Sequence, residues 1–205
     1  MTETPRAAMA RVARTIDEKR LTHGRTGNLA VRDGDRTLVT PTGVRLREVD
    51  PSQLSVLDAD GRHVDGPRPT KEAFLHAAML RARPELRAVV HTHSPFSAAV
   101  SCLDGLDPEE PLPPLTAYFG MRVGRLRLLP YIAPGDVSAA DSIADAARTH
   151  QALLLRNHGP VVAGADLDAA LDALEELEHA AQIFFVTQGL RTAPLTAAQL
   201  AALSA

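Results

Sequence analysis

Turn-punctuated β runs in the first half of the chain and helix-strand alternation in the second predict an α/β protein, a sheet of mixed strand direction with helices on both faces. Three observations carry this. Asp33-Gly34-Asp35 separates two short β-prone runs, as a hairpin demands. Ala88-Val89-Val90-His91-Thr92-His93 reads as a buried strand whose last residues turn polar. Leu167, Ala170, Leu171, Leu174, Leu177, Ala181 and Phe184 recur at helical spacing. No fixed-period repeat or low-complexity linker divides residues 1–205, so a single domain is expected.

The elements follow in order. Met9, Val12, Ala13 and Ile16 mark an amphipathic helix over residues 6–20. The small, polar run His23-Gly24-Arg25-Thr26-Gly27-Asn28 is a loop. Leu29 to Arg32 and Thr37 to Thr40 form the hairpin, Pro41-Thr42-Gly43 is a turn, and strands follow at Leu54 to Leu57 and around His63. Thr70 is a natural N-cap for a helix ending near Pro84. A strand from Ala88 to His93 precedes a helix from Pro95 to Leu103, and the Pro- and acid-rich residues 104–114 read as a surface connection. Val123 to Leu129 and Ala152 to Leu155 are further strands, separated by a helix over residues 139–149.

Composition narrows the function. With 22 Lys+Arg against 25 Asp+Glu, the formal charge of −3 provides no basic excess for a nucleic-acid backbone. A lone cysteine, Cys102, rules out internal disulfides and multi-cysteine metal sites. The N-terminus lacks the layout of a secretion signal and no apolar run approaches bilayer length, so no membrane partner and a cytoplasmic location are expected. Any metal must therefore be held by histidines, of which there are 8, and carboxylates.

His91 and His93 stand at alternate positions of a strand and share a face, a usable ligand pair for one divalent ion. His158 lies in Arg156-Asn157-His158-Gly159-Pro160, a tight turn after a second apolar strand, Ala152 to Leu155, and strand ends are where sites in α/β sheets gather. Three histidines leave an open position on a tetrahedral zinc for a substrate oxygen. His76, four residues after Glu72 on one helical face, is a core residue or supports the site from behind; His23 and His179 need no special role, and His63 and His150 read as exposed. Thr26-Gly27-Asn28, Thr42-Gly43 and Pro69-Thr70-Lys71 each offer hydroxyls or backbone N–H groups to an anion, and Lys71 adds a full charge. Glu72, in the first turn of its helix, is either a dipole-stabilised carboxylate or, beside a metal, a general acid/base.

These segments, with Thr40-Pro41-Thr42-Gly43, Pro69-Thr70-Lys71-Glu72, His91-Thr92-His93-Ser94 and Asn157-His158-Gly159 in this order, resemble the class II aldolase/adducin family across nearly the whole chain. The resemblance implies a three-layer α/β/α sandwich around a mixed, mainly antiparallel sheet. It also implies zinc or another divalent metal on His91, His93 and His158, with Glu72 as catalytic acid/base. Thr26, Gly27, Asn28, Thr42, Gly43, Thr70 and Lys71 would hold a substrate phosphate. The assembly implied is a homotetramer with active sites at subunit interfaces, where Tyr118 resembles the tyrosine that a neighbouring subunit contributes. Asp65 to Glu72, Leu112 to Thr116, Met121 to Gly124 and Glu175 to Glu178 are more similar to decarboxylases of 3-oxo-tetronate 4-phosphate than to L-fuculose-phosphate aldolases, which usually have a hydroxyl residue in place of Lys71. Gly120 and Arg25 are departures without an account in the sequence.

The expected chemistry is carbon–carbon lysis of a small phosphorylated sugar or sugar acid through an enediolate, giving dihydroxyacetone phosphate and carbon dioxide. A ketose 1-phosphate aldolase is the alternative within the same chemistry. A non-catalytic adducin-like interaction module is the alternative of another class, and retention of Glu72 and all three histidines weighs against it.

Overall fold

The computed structural model describes residues 3–203. Eight strands form one sheet in the order β4-β3-β2-β1-β5-β8-β7-β6. They are β1 (Asn28–Asp33), β2 (Arg36–Val39), β3 (Ser55–Leu57), β4 (His63–Asp65), β5 (Ala88–His91), β6 (Leu126–Leu129), β7 (Ala152–Leu155) and β8 (Gly159–Gly164). Only β6 and β7 pair in parallel, and the helix α4 (Ala140–Ala147) lies on the crossover that joins them, because parallel neighbours cannot be linked by a hairpin.

The other helices are α1 (Pro5–Glu18), α2 (Ala73–Ala82), α3 (Pro95–Ser101), α5 (Leu167–Val186) and α6 (Ala197–Ala202). Strand periodicity sorts the core into two layers. Leu29, Val31, Val90, Leu154 and Val162 face α1, α3 and α5, while Ala30, Val39, Val89, Leu153 and Val161 face α2 and α4. The result is the expected α/β/α sandwich with a mixed, mainly antiparallel sheet. Met9, Val12 and Ile16 of α1 are fully buried, each such side chain contributing ~1.5–3 kcal/mol, Met and Ile near the upper end. No described helix is long and apolar enough to cross a membrane.

The antiparallel order determines where chemistry collects. The start of β1, the ends of β2 and β5 and the start of β8 all meet at one edge of the sheet, with Asn28 opposite His91 and His91 opposite Val161. Beyond that edge Pro41 pairs with Pro69, Thr42 N–H donates to Arg68 O and Thr70 N–H donates to Thr40 O, zipping the turn after β2 to the approach to α2.

Several expectations are corrected. Thr70 does not cap α2: the helix starts at Ala73, Glu72 occupies the N-cap position without capping through its side chain, and the Thr70 hydroxyl accepts from Glu72 N–H. Regular β5 ends at His91, so His93 lies past the strand. Gly159-Pro160 opens β8 rather than closing a turn, and Asn157, at φ 55°, makes the reversal between β7 and β8. His150 is buried, its Nδ1 within hydrogen-bond distance of Thr149 Oγ1 and Ala146 O. Residues 119–123 form a π-helical turn before β6, and α6 closes over it where Leu200 meets Gly120. A Cβ at Gly120 would lie 2.7 Å from the end of the Leu200 side chain.

Candidate metal centre and anion pocket

His91, His93 and His158 converge at this end of the sheet, each offering a ring nitrogen, and those atoms all lie within 4.8 Å of one another. Ring centroids are separated by 4.6 to 5.1 Å. Because β5 alternates, His91 projects on the Val89 side of the sheet, towards the start of α2. Its Nδ1–H donates to Pro160 O at 2.9 Å, which orients the ring with Nε2 facing the cluster. That Nε2 is buried and has no hydrogen-bond partner.

His93 Nε2 and His158 Nε2 approach to 2.9 Å. Burial, reinforced by the neighbouring imidazoles, pushes both rings down to about 4, so at neutral pH they present lone pairs rather than protons. Three ring nitrogens within reach of one ion, one of them a buried Nε2 without a partner, fit a divalent transition metal of the zinc type.

Glu72 completes the cluster. Its Oε1 is 3.3 Å from His158 Nε2, and its Oε2 is 3.4 Å from His91 Nε2 and accepts from Asn28 Nδ2 at 2.7 Å. Burial works to raise its pKa, but His91, the Asn28 amide, His158 and His76 outweigh it and hold the carboxyl below its usual range. The group is a carboxylate at rest.

A cavity of about 380 Å³ opens beside Glu72, His93 and His158. Thr26, Gly27, Asn28, Thr42, Gly43, Thr70 and Lys71 all line it, joined by Arg25 and Pro134. The three small-residue segments therefore converge on one space. Gly27 sits at φ 80° against the His91 carbonyl, where a Cβ would come within 3.1 Å, and Gly43 sits at φ 77°, so both backbones need glycine. Neither Lys71 nor Arg25 forms an ion pair among the described residues.

Not every candidate reaches the cavity with a free side chain. Asn28 is committed to Glu72, and the Thr26 hydroxyl donates to His23 O. Tyr118 lies elsewhere, exposed beside Arg122 and His179, and takes no part in its own chain's cavity. Arg25 as a lining residue was not singled out by motif, whereas His76, read as a core residue or a support from behind, is buried against Asn28. The i, i+4 spacing of Glu72 and His76 was the signal for that reading.

The Class II Aldolase and Adducin N-terminal domain family matches residues 7–185, and the chain belongs to that family. Among its relatives, a 3-oxo-tetronate 4-phosphate decarboxylase of Haemophilus influenzae is 46% identical over 189 residues, covering 92% of this chain and 90% of the relative. An L-fuculose phosphate aldolase of Escherichia coli is 32% identical over 168 residues, covering 82% and 76%. A solved structure described as YgbL, a putative aldolase/epimerase/decarboxylase from Escherichia coli, superposes with a TM-score of 0.93 at 40% identity, over 98% of this chain and 97% of that one. The chain thus sits among the family's lyases.

Proposed function

We propose that the protein is a zinc-dependent decarboxylase of 3-oxo-tetronate 4-phosphate, releasing carbon dioxide and dihydroxyacetone phosphate. The observation that carries this is the placement of the Glu72 carboxylate within 3.4 Å of two of three clustered imidazoles, at the mouth of a cavity that also holds Lys71 and both glycine turns. The decarboxylase name of the more similar relatives supports the substrate class.

A zinc or similar divalent ion held by His91, His93 and His158 would supply Lewis acidity where negative charge gathers on the substrate's ketone oxygen. The chain's own residues do the rest. Thr42, Gly43, Thr70 and the Gly27 turn seat the phosphate, so that binding energy remote from the reacting carbon is spent on orientation. Lys71 faces the same cavity and neutralises substrate charge. As the bond to the carboxylate carbon breaks, the electron pair stays on the carbon next to the ketone, and one proton must be delivered there. Glu72 is the group placed to take up that proton and pass it on, which matches a carboxylate that is ionised at rest.

Relatives named as fuculose phosphate aldolases support a second reading, aldol cleavage of a ketose 1-phosphate, in which Tyr118 from a neighbouring subunit of a homotetramer would serve the aldehyde oxygen. The exposure of Tyr118 is compatible with that reach. Glu72→Gln tests the shared core of both readings: turnover is expected to fall about 10²- to 10⁴-fold with bound zinc retained. Unchanged turnover would exclude Glu72 from the chemistry.

A further inference from the structure

One buried group next to the site has no part in the chemistry above. His76 of α2 is fully buried, and its Nε2 lies 2.5 Å from Asn28 Oδ1. The Asn28 amide in turn donates from Nδ2 to Glu72 Oε2 at 2.7 Å. Helical spacing produces this, because His76 is one turn beyond Glu72 and its backbone N–H bonds the Glu72 carbonyl. Asn28 closes the triangle from β1, directly opposite His91.

The hydrogen bonding has one consistent direction. Asn28 turns its NH₂ end towards Glu72 Oε2 and its oxygen towards His76 Nε2. His76 must then donate from Nε2, leaving Nδ1 without a proton. Nδ1 is buried with no partner, so it can bear an unused lone pair more cheaply than an unused N–H bond. Flipping the amide would set Asn28 Oδ1 against Glu72 Oε2, two acceptors at hydrogen-bond distance. It would also move the His76 proton to Nδ1, where nothing receives it.

We propose that His76 is a positioning residue, which locks the Asn28 amide so that its N–H faces Glu72 and thereby fixes the carboxylate against the three imidazoles. Asn28 then serves the proton-transfer group through its side chain, and any contact with substrate phosphate is left to other atoms of the loop. The effect on turnover rests on the decarboxylase reading; the hydrogen-bond relay does not.

The test compares His76→Leu, which fills the space without a donor, and His76→Gln, which restores one, in full-length zinc-loaded protein. Ring ¹⁵N spectra of the parent are expected to give His76 as the neutral Nε2–H tautomer. The Asn28 side-chain amide protons, slow to exchange in the parent, are expected to exchange faster in His76→Leu and to regain protection in His76→Gln. With substrate, kcat of His76→Leu is expected to fall about tenfold to a hundredfold, the worth of a hydrogen bond to a charged group, with KM little changed and partial recovery in His76→Gln. An Nδ1–H tautomer, or a folded His76→Leu with parental amide protection and kcat, would overturn the proposal. A parent that turns over no substrate contradicts the proposed function, and the tautomer and amide exchange then decide the relay by themselves.

Discussion

Gly159→Ala probes how tightly the ligand geometry depends on backbone packing. Gly159 follows His158 and opens β8, and its φ is not in the left-handed region, so alanine suits the local conformation. The obstacle is contact. A Cβ there would lie 2.3 Å from Thr92 O and 3.3 Å from His93 Cα, both backbone atoms of the segment carrying the other two imidazoles. Relief requires the β5 and β8 ends to separate by about 0.7 Å, and overpacking of this kind costs ~1–3 kcal/mol. The displacement falls on the Thr92 N–H to Pro160 O bond and on the His91 to Pro160 O bond that orients the ligand ring. Zinc affinity is therefore expected to weaken about tenfold to a hundredfold, as when the hydrogen-bond partner of a ligand histidine is lost. Competition against a chromophoric chelator reads the affinity, and urea denaturation of chelator-treated protein reads the stability. Parental values of both in Gly159→Ala would refute the claim that close approach of these two backbones sets the metal geometry.

Three further outcomes are expected. Burial, helped by His91, pushes His76 down to about 3, against roughly 6.5 unfolded, so in this window the unfolded chain holds a proton that the folded one does not. Stability from this group is thus full well above pH 6.5 and declines as pH falls, by about 1.6 kcal/mol between pH 6.5 and 5; His93 and His158 steepen the total slope in chelator, and His76→Leu should reduce the slope seen in urea titrations by about one proton. Lys71→Ser is expected to raise KM for an acidic phosphorylated substrate about tenfold while leaving zinc content unchanged, read by initial rates and metal analysis. Tyr118→Phe is expected to leave decarboxylation near parental rate, because no aldehyde oxygen needs a proton there; a large loss of kcat would favour the aldolase reading.

The layer architecture was legible because apolar periodicity in Met9 to Ile16, Ala88 to Val90 and Leu167 to Phe184 reports burial directly. The histidine cluster was legible for a related reason: strand alternation and antiparallel order bring His91 and the start of β8 to one edge. What stayed hidden depends on tertiary contacts. Gly159-Pro160 has the composition of a turn, yet the glycine is there so that β8 can touch the Thr92 backbone. Thr70 has the form of a helix cap, but Asn28 and the imidazoles draw the next carboxylate inward and the helix starts later. Asn28 reads as an anion-loop residue, and only the fold shows that its side chain is spent on Glu72. His150 looks polar and exposed in sequence, while its ring is buried after α4.

The most direct measurement of the central claim incubates zinc-loaded protein with 3-oxo-tetronate 4-phosphate and, separately, with ketose 1-phosphates, following carbon dioxide and dihydroxyacetone phosphate. The predicted result is equimolar carbon dioxide and dihydroxyacetone phosphate from the first substrate, abolished by a chelator and restored by zinc. Dihydroxyacetone phosphate from a ketose 1-phosphate alone, with no carbon dioxide from the acid, would contradict it.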